Sequence, residues 1–258
     1  DSLQGAVPNM NLVQGRGYSS NVNAFIRGVG QPDALQSFDP AVGVYIDDVY
    51  IARPQGALLD IYDVERIEVL RGPQGTLYGR NAVGGAIKYV TRRLSEEPSF
   101  SAKASIGTYN QQDFVVTASA PLSDTFRVGA TVASLNRDGY GDNLTTGDEH
   151  YNKDILAYRI SAEFEPSDEV LIRFAYDTTD DDSNPVAGYR VAPGAVSGTP
   201  VTDDVRDTYA GASENISTAG IDGNQNVESE GYSVSIDWEL DENWTFRSIT
   251  ASREDYTE

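Results

Sequence analysis

The chain has 258 residues, of which 39% are hydrophobic and 23% charged, so it can bury a core and does not read as a disordered tail. Its formal net charge is −21, which argues against a nucleic-acid partner because such a partner requires a basic face. Cysteine is absent, which excludes disulfides, thiolate metal sites and cysteine nucleophiles. No apolar run approaches the roughly 18 residues of a membrane helix, whereas the strands of a membrane barrel alternate and keep a low mean hydropathy.

The first part of the chain, to about residue 94, is rich in glycine and mixes short apolar runs with turn signals. Three runs predict strands, at residues 24–26, 42–46 and 66–70, and short helical turns are expected near the start and around residues 56–62. The sequence therefore predicts a small α+β domain over residues 1–94.

From residue 95 onward the chain changes to long segments in which apolar residues recur at every second position. One phase carries residues such as Phe100, Val128, Ile160, Ile172 and Ile236, which predicts strands with one apolar face. The charged residues inside these segments all fall in the opposite phase: Arg127, Arg159, Glu163, Arg173, Asp237, Glu239 and Arg247. One face is thus built for lipid or a core, and the other for water.

The connections between these predicted strands differ in length at the two ends. Those at 121–125, 165–169 and 241–243 are short, whereas those at about 136–153 and 178–231 are long. Short turns at one rim and long loops at the other are typical of outer-membrane barrels. Aromatic residues lie near the short turns, as in an interfacial girdle: Phe126, Phe164, Trp238 and Trp244. A soluble β-sandwich also alternates, so that alternative stays open.

About seven strands fit between residues 95 and 258, which is too few to enclose a ninety-residue domain. A barrel wide enough to hold a plug has about 22 strands. The expected fold is therefore a small α+β plug domain, residues 1–94, followed by antiparallel transmembrane strands from the N-terminal part of a 22-stranded barrel, residues 95–258.

Three motifs, in order, resemble the plug signature of TonB-dependent receptors. Residues 25–30 read FIRGVG, residues 44–49 read VYIDDV, and residues 64–73 read VERIEVLRGP, followed by the glycines of 79 to 85. Two positions depart from the family pattern, because Asn9 and Asp48 stand where many members have glycine. Glycine reaches positive φ most easily, so the geometry of these two turns does not follow from the resemblance.

The resemblance implies active uptake of a scarce extracellular ligand across the outer membrane of a Gram-negative bacterium. The ligand would be an iron–siderophore or similar chelate, a cobalamin or a carbohydrate, and the energy would come from the TonB–ExbB–ExbD complex. Outer-membrane lipid and lipopolysaccharide are the expected surroundings, and no nucleic acid is expected as a partner. The alternative is a soluble β-rich binding or adhesion module.

Alignment on the two Arg-Gly motifs implies the site residues. The ligand-facing plug apices would be Asp33, Ala34, Arg53 and Pro54. Arg27 and Arg71 would anchor the plug to barrel glutamates, at least one of them in strands beyond residue 258.

Other chemistry has little support in the sequence. No Gly-Lys-Ser/Thr follows the glycine-rich stretch, so a phosphate loop is not expected. The single histidine, His150, lies in a polar stretch and is expected in an exposed loop. The acidic runs at 138–142 and 180–182 lack the spacing of a calcium loop and are expected to be solvated. We expect neither an enzyme nor a metal or cofactor site.

Overall fold

In the computed structural model, a four-stranded sheet near the N-terminus packs against one face of a seven-stranded sheet that follows it in the chain. None of the helices in the part of the chain that it describes is long and apolar enough to cross a membrane. The structure describes residues 5–14, 22–31, 39–52, 63–143, 149–184, 195–196, 199–200, 216–217 and 226–257.

The described part of the N-terminal region folds into two small sheets and one short helix. The strands of the first sheet are β1 (Met10–Gln14), β2 (Val22–Ile26) and β3 (Val29–Gly30). Those of the second are β4 (Val42–Ile46), β5 (Val49–Ile51), β6 (Val64–Arg71) and β7 (Gly85–Thr91), in the order β5-β4-β7-β6. Helix α1 (Gly75–Tyr78) connects β6 to β7. The two sheets share a core of Met10, Ala24, Ile26, Val42 and Ile87.

The three strands predicted in this region are present, with β4 over the predicted residues and β2 and β6 slightly longer. The predicted helical turn at 56–62 lies outside the described residues. Helix α1 was not predicted, because the closely spaced glycines around it indicate turns rather than a helix.

Two turns in the N-terminal region use positive backbone angles. Asp47 and Asp48 connect β4 to β5 with φ of 48° and 67°, and Ile46 pairs with Val49 across them. Positive φ at both central residues is the mark of a type I′ turn, which aspartate enters more readily than most residues because of its short polar side chain. Asn9 likewise has a φ of 59°. The departures from glycine therefore leave these turns intact, and the Asp47–Asp48 turn gains two carboxylates.

Seven of the described strands after residue 98 form an antiparallel sheet, here called the large sheet. Its strands are β8 (Ser99–Gly107), β9 (Gln111–Ser123), β10 (Phe126–Arg137), β13 (Lys153–Ser167), β14 (Val170–Asp181), β18 (Val227–Asp241) and β19 (Trp244–Thr257). Short strands lie in the long connections: β11 (Gly141–Asn143), β12 (Glu149–His150), β15 (Ala195–Val196), β16 (Thr199–Pro200) and β17 (Ile216–Ser217).

The two faces of the large sheet differ as the alternation predicts. On the outer face the apolar side chains are open, with Phe100 73% and Ile160 54% exposed. On the inner face, which the N-terminal region covers, Arg159 and Glu163 are buried. The apolar band crosses the strands obliquely. On β8 Phe100 lies at the end of the band next to the short turns, yet it shares a hydrogen-bonded row with Tyr232, which lies at the opposite end of the band on β18.

His150 is buried, and the expectation of an exposed loop histidine is wrong. The residue lies in β12, which pairs with β11, so this connection folds back on itself. The chain at Gly139 packs closely over it, since a Cβ there would stand 2.5 Å from the His150 carbonyl oxygen. Only 5% of His150 is exposed, and neither ring nitrogen has a hydrogen-bond partner in the part of the chain that the structure describes.

Tyr45 on β4 gives a pH-dependent prediction. Its buried hydroxyl donates to the carbonyl oxygen of Tyr78 at 2.8 Å, and burial raises its pKa to about 12. The pKa of Tyr45 in the folded state thus lies above the ordinary value of 10. The neutral Tyr45 hydroxyl therefore stabilises the folded state fully below pH 10, and this contribution is lost as the pH rises towards 12.

We therefore expect Tyr45→Phe to cost about 1 kcal/mol at pH 8, the usual net value of one hydrogen bond. Between pH 10 and 12 the wild type should lose more stability than the variant, as measured by thermal unfolding of the full-length protein. Parallel pH profiles would contradict this assignment.

Candidate functional site: the ionic contact between the N-terminal region and the large sheet

The inner face of the large sheet carries two rows of charged residues separated by a row of small ones. The pairing registers place them across neighbouring strands. The first ion row contains Arg127, Glu163 and Arg173, and the second contains Arg159, Asp177 and, beyond Gly231, Arg253. The small-residue row between them consists of Ser99, Ser119, Gly129, Ser161, Ala175, Ser233 and Ala251.

Asp47, at the β4–β5 turn, reaches both ion rows. One carboxylate oxygen lies 3.1 Å from Nη2 of Arg159 and 4.0 Å from Nη2 of Arg173. The same carboxylate accepts hydrogen bonds from the backbone N–H of Thr91 at 2.8 Å and from the Thr91 hydroxyl at 2.7 Å. Asp47 thus joins its own domain to two strands of the large sheet.

Asp48 makes a second bridge from the same turn. Its Oδ1 lies 2.6 Å from Nζ of Lys88 on β7, and its Oδ2 lies 3.5 Å from Nη1 of Arg247 on β19. Arg247 also pairs with Asp237 on the neighbouring strand β18. Burial disfavours the charged ammonium of Lys88, but its contacts with Asp48 outweigh this effect, so the pKa of Lys88 is raised.

Glu163 is the most enclosed acid of the contact, with only 2% of its side chain exposed. It pairs with Arg93 at 2.8 Å, Arg173 at 3.3 Å and Arg127 at 3.5 Å, and it accepts from the backbone N–H of Leu94 at 3.2 Å. Burial opposes the charge of Arg93, but hydrogen bonds to Glu163 and Glu165 keep its pKa above the ordinary value. The segment that leaves β7 is therefore tied to strand β13.

Gly129 in the small-residue row makes room for that segment. A Cβ at Gly129 would stand 2.5 Å from Cδ2 of Leu94, so the leucine occupies the space that a side chain would fill. Beside it lies a cavity of about 90 Å³, polar enough and large enough for several water molecules. Its lining includes Asp47, Arg159 and Arg173 together with the hydroxyls of the small-residue row.

An apolar contact completes the interface. Ile46 and Ile51 of the N-terminal region form one buried cluster with inner-face residues of β10 and β13, which are Ala133, Leu135, Ile155 and Ala157. The ion pairs therefore lie beside a dry contact, where they are less screened than on a surface.

The resemblance singled out six other residues. Asp33, Ala34, Arg53 and Pro54 are outside the described residues. Arg27 lies in the β2–β3 turn and Arg71 ends β6; both are exposed, and neither forms an ion pair with any other residue that the structure describes. Their anchoring role stays a prediction. Within the described ranges, no group of three or more His, Cys, Asp or Glu side chains could hold a metal ion.

Asp47, Arg159 and Glu163 were not predicted to act together. The alternation placed Arg159 and Glu163 on the inner face, but it contains no information about which residue of the N-terminal region they meet. The one available signal was the Asp-Asp pair at a turn where glycine is usual.

Comparison with known proteins supports this architecture. Residues 1–86 match the family described as TonB-dependent Receptor Plug Domain. The chain is 31% identical over 153 residues to the pesticin receptor of Yersinia pestis, which covers 58% of this chain and 22% of the relative. It is 27% identical over 143 residues to the vitamin B12 transporter BtuB of Vibrio vulnificus, with coverages of 55% and 22%. The chain thus spans about a fifth of the length of these curated relatives.

Solved structures show the same fold. The ferric yersiniabactin uptake receptor FyuA from Yersinia pestis superposes with a TM-score of 0.81 at 22% identity, over 100% of this chain and 38% of that one. The ferric-catecholate import receptor Fiu from E. coli superposes with a TM-score of 0.70 at 17% identity, over 97% and 33%. Residues 1–86 therefore carry the plug domain of the TonB-dependent receptors, and the chain as a whole shares the fold of the plug and of adjoining antiparallel barrel strands in such receptors.

Proposed function

We propose that the protein takes up a scarce extracellular ligand across the outer membrane of a Gram-negative bacterium in a TonB-dependent manner. Residues 1–94 would be the plug and residues 95–258 the first part of the barrel. The observation that carries the proposal is the plug itself, bound through Asp47 and Glu163 to the inner face of a sheet whose outer face is apolar. A plug held in this way closes a pore that must be opened by work.

The proposed energy source lies outside the chain. No Gly-Lys-Ser/Thr phosphate loop follows the glycine-rich stretch, so the chain itself offers no recognisable nucleotide site. The TonB–ExbB–ExbD complex would supply the energy. Outer-membrane lipid would contact the apolar face, and lipopolysaccharide would contact the outer rim.

The ligand class is an iron–siderophore or similar chelate, with cobalamin next and a carbohydrate as a further candidate. The relatives include a pesticin receptor and a vitamin B12 transporter, and the superposed structures include receptors for ferric yersiniabactin and ferric catecholates. Asp33, Ala34, Arg53 and Pro54 would meet the ligand, and Arg53 would suit an anionic group. Arg27 and Arg71 would anchor the plug to acidic barrel residues.

A soluble β-rich binding module is disfavoured by the outer face of the large sheet. Phe100, Ile160, Trp238 and Trp244 are all exposed there, in a band far too extensive for a soluble monomer. The full-length protein should therefore sediment with outer membranes and require detergent for extraction.

Growth and uptake decide the function. A deletion strain should fail to grow on one member of a panel of ferric chelates, cobalamin and glycans, and the full-length gene should restore growth. Uptake of that compound should stop when the strain also lacks TonB. Restored uptake that is independent of TonB, or no growth defect on the whole panel, would reject the proposal.

A further inference from the structure

The Asp47–Asp48 turn makes three ionic contacts with arginines of the large sheet, which are Arg159, Arg173 and Arg247. Each of these arginines also has a second carboxylate on the sheet itself. Arg159 lies 3.6 Å from Asp177, and Arg173 lies 3.3 Å from Glu163. Arg247 pairs with Asp237 as well as with Asp48. Removing the turn would therefore leave each of these arginines with a carboxylate beside it.

The two carboxylates of the turn likewise have further partners on the plug. Asp47 keeps both hydrogen bonds from Thr91, and Asp48 keeps Lys88 at 2.6 Å. Breaking an ordinary buried ion pair strands a charge, which is the main cost of breaking it. Here both halves of each contact stay compensated after separation.

The contact made by Arg93 differs. Arg93 follows β7 and pairs only with Glu163 and Glu165 among the described residues, so its separation from strand β13 would leave its guanidinium, whose side chain is 44% exposed, with water in place of an acid. The contacts of the Asp47–Asp48 turn and the contact of Arg93 thus differ in whether a carboxylate remains beside each arginine after separation.

We propose that the Asp47–Asp48 turn is a releasable latch between plug and barrel, whose ionic contacts open without leaving an uncompensated buried charge. The proposal rests on the proposed function only for its role in transport, where the latch would let this hairpin leave the sheet at low cost. Asp47 is a positioning residue, since it acts through the placement of the plug.

Hydrogen exchange of the full-length receptor tests the latch. Asp47→Asn keeps a residue that tolerates positive φ and removes the charge. It should raise exchange in β4 and β5 by about tenfold or less, because the charges remain paired, and leave β13 and β14 unchanged. A rise above about a hundredfold would mean that a buried charge had been stranded and would overturn the proposal.

A double variant tests the shared arginine. Asp177→Asn alone leaves Arg159 with Asp47, whereas Asp47→Asn with Asp177→Asn removes both of these carboxylates. Exchange in β13 and β14 should then exceed the product of the single-variant effects by about tenfold, and a simple product would reject the latch. Asp63→Asn is the matched control, since Asp63 pairs with Arg92 at an exposed site, and it should change neither region.

The exchange measurement uses neither ligand nor TonB, so the two proposals can fail separately. If the double variant exceeds the product of the single-variant effects but uptake does not depend on TonB, the proposed function is rejected and the latch is kept. If the double variant equals that product and uptake depends on TonB, the latch is rejected and the proposed function is kept.

Discussion

Replacing Glu163 by alanine is expected to loosen the plug more than any other single acidic substitution in this interface. The side chain of Glu163 is 2% exposed; it forms ion pairs with three arginines and accepts a hydrogen bond from the backbone N–H of Leu94. Among the described residues, its removal leaves Arg173 with one carboxylate, that of Asp47 at 4.0 Å, and with its hydrogen bond to the Thr91 hydroxyl at 3.1 Å. Arg93 and Arg127 keep Glu165. Because part of the charge stays compensated, the cost should fall near the lower end of the range for a broken buried pair, about 3 kcal/mol.

The loss should appear as a lower free energy of unfolding of the full-length receptor and as faster hydrogen exchange over residues 85–95. Glu230→Ala is the control, because Glu230 is exposed on the outer face and its contact with the Tyr176 hydroxyl is long, at 3.4 Å. That variant should cost no more than about 1 kcal/mol. Equal losses for the two variants would show that Glu163 does not hold the plug segment.

Placing arginine at Ile160 is expected to destabilise the receptor by about 2 to 4 kcal/mol in a bilayer, the cost of a cation at the lipid-facing midplane. Ile160 is 54% exposed and lies near the middle of the outer apolar band on β13. The free energy of unfolding of the full-length receptor in lipid vesicles measures this cost.

The control belongs on the inner face, at Thr179 of β14. Ser161, the residue next to Ile160, is less suitable as a control, because it lines the cavity beside Arg159 and Arg173, where another cation would be repelled. Thr179 lies two positions from both Asp177 and Asp181 on the same face, so Thr179→Arg finds acidic neighbours and should cost about 1 kcal/mol or less. Similar losses at Ile160 and Thr179 would contradict the assignment of the outer face to lipid.

Much of the fold could be predicted, because it follows from local periodicity. The alternation around Phe100 and Ile160 fixes which face is apolar, and a slip of one residue would turn every side chain over. Likewise, the motif around Arg71 and Gly72 identifies the plug because its glycines are tied to particular turns.

The interface could not be predicted in the same way. The contact between Asp47 and Arg159 joins residues 112 positions apart, and no pattern along the chain encodes such a meeting. The chain offered several acids and arginines in the right phase, and only the packing of Ile46 and Ile51 against β10 and β13 decides which of them meet. The burial of His150 does not follow from the sequence for a related reason, since polar neighbours along the chain do not reveal that β12 folds back onto β11.

The oblique course of the apolar band sets the strands at an angle to the membrane. Between β8 and β18 the centre of the band shifts by about seven residues over five strand-to-strand steps, and with a rise of ~3.3 Å per residue and a spacing of ~4.8 Å this gives a tilt of roughly 45°. Barrel strands in outer membranes are tilted by about 35–45°. Residues in one hydrogen-bonded row therefore lie at different depths. The second ion row forms a ramp in which Arg159 lies nearer the short turns and Arg253 lies nearer the long connections.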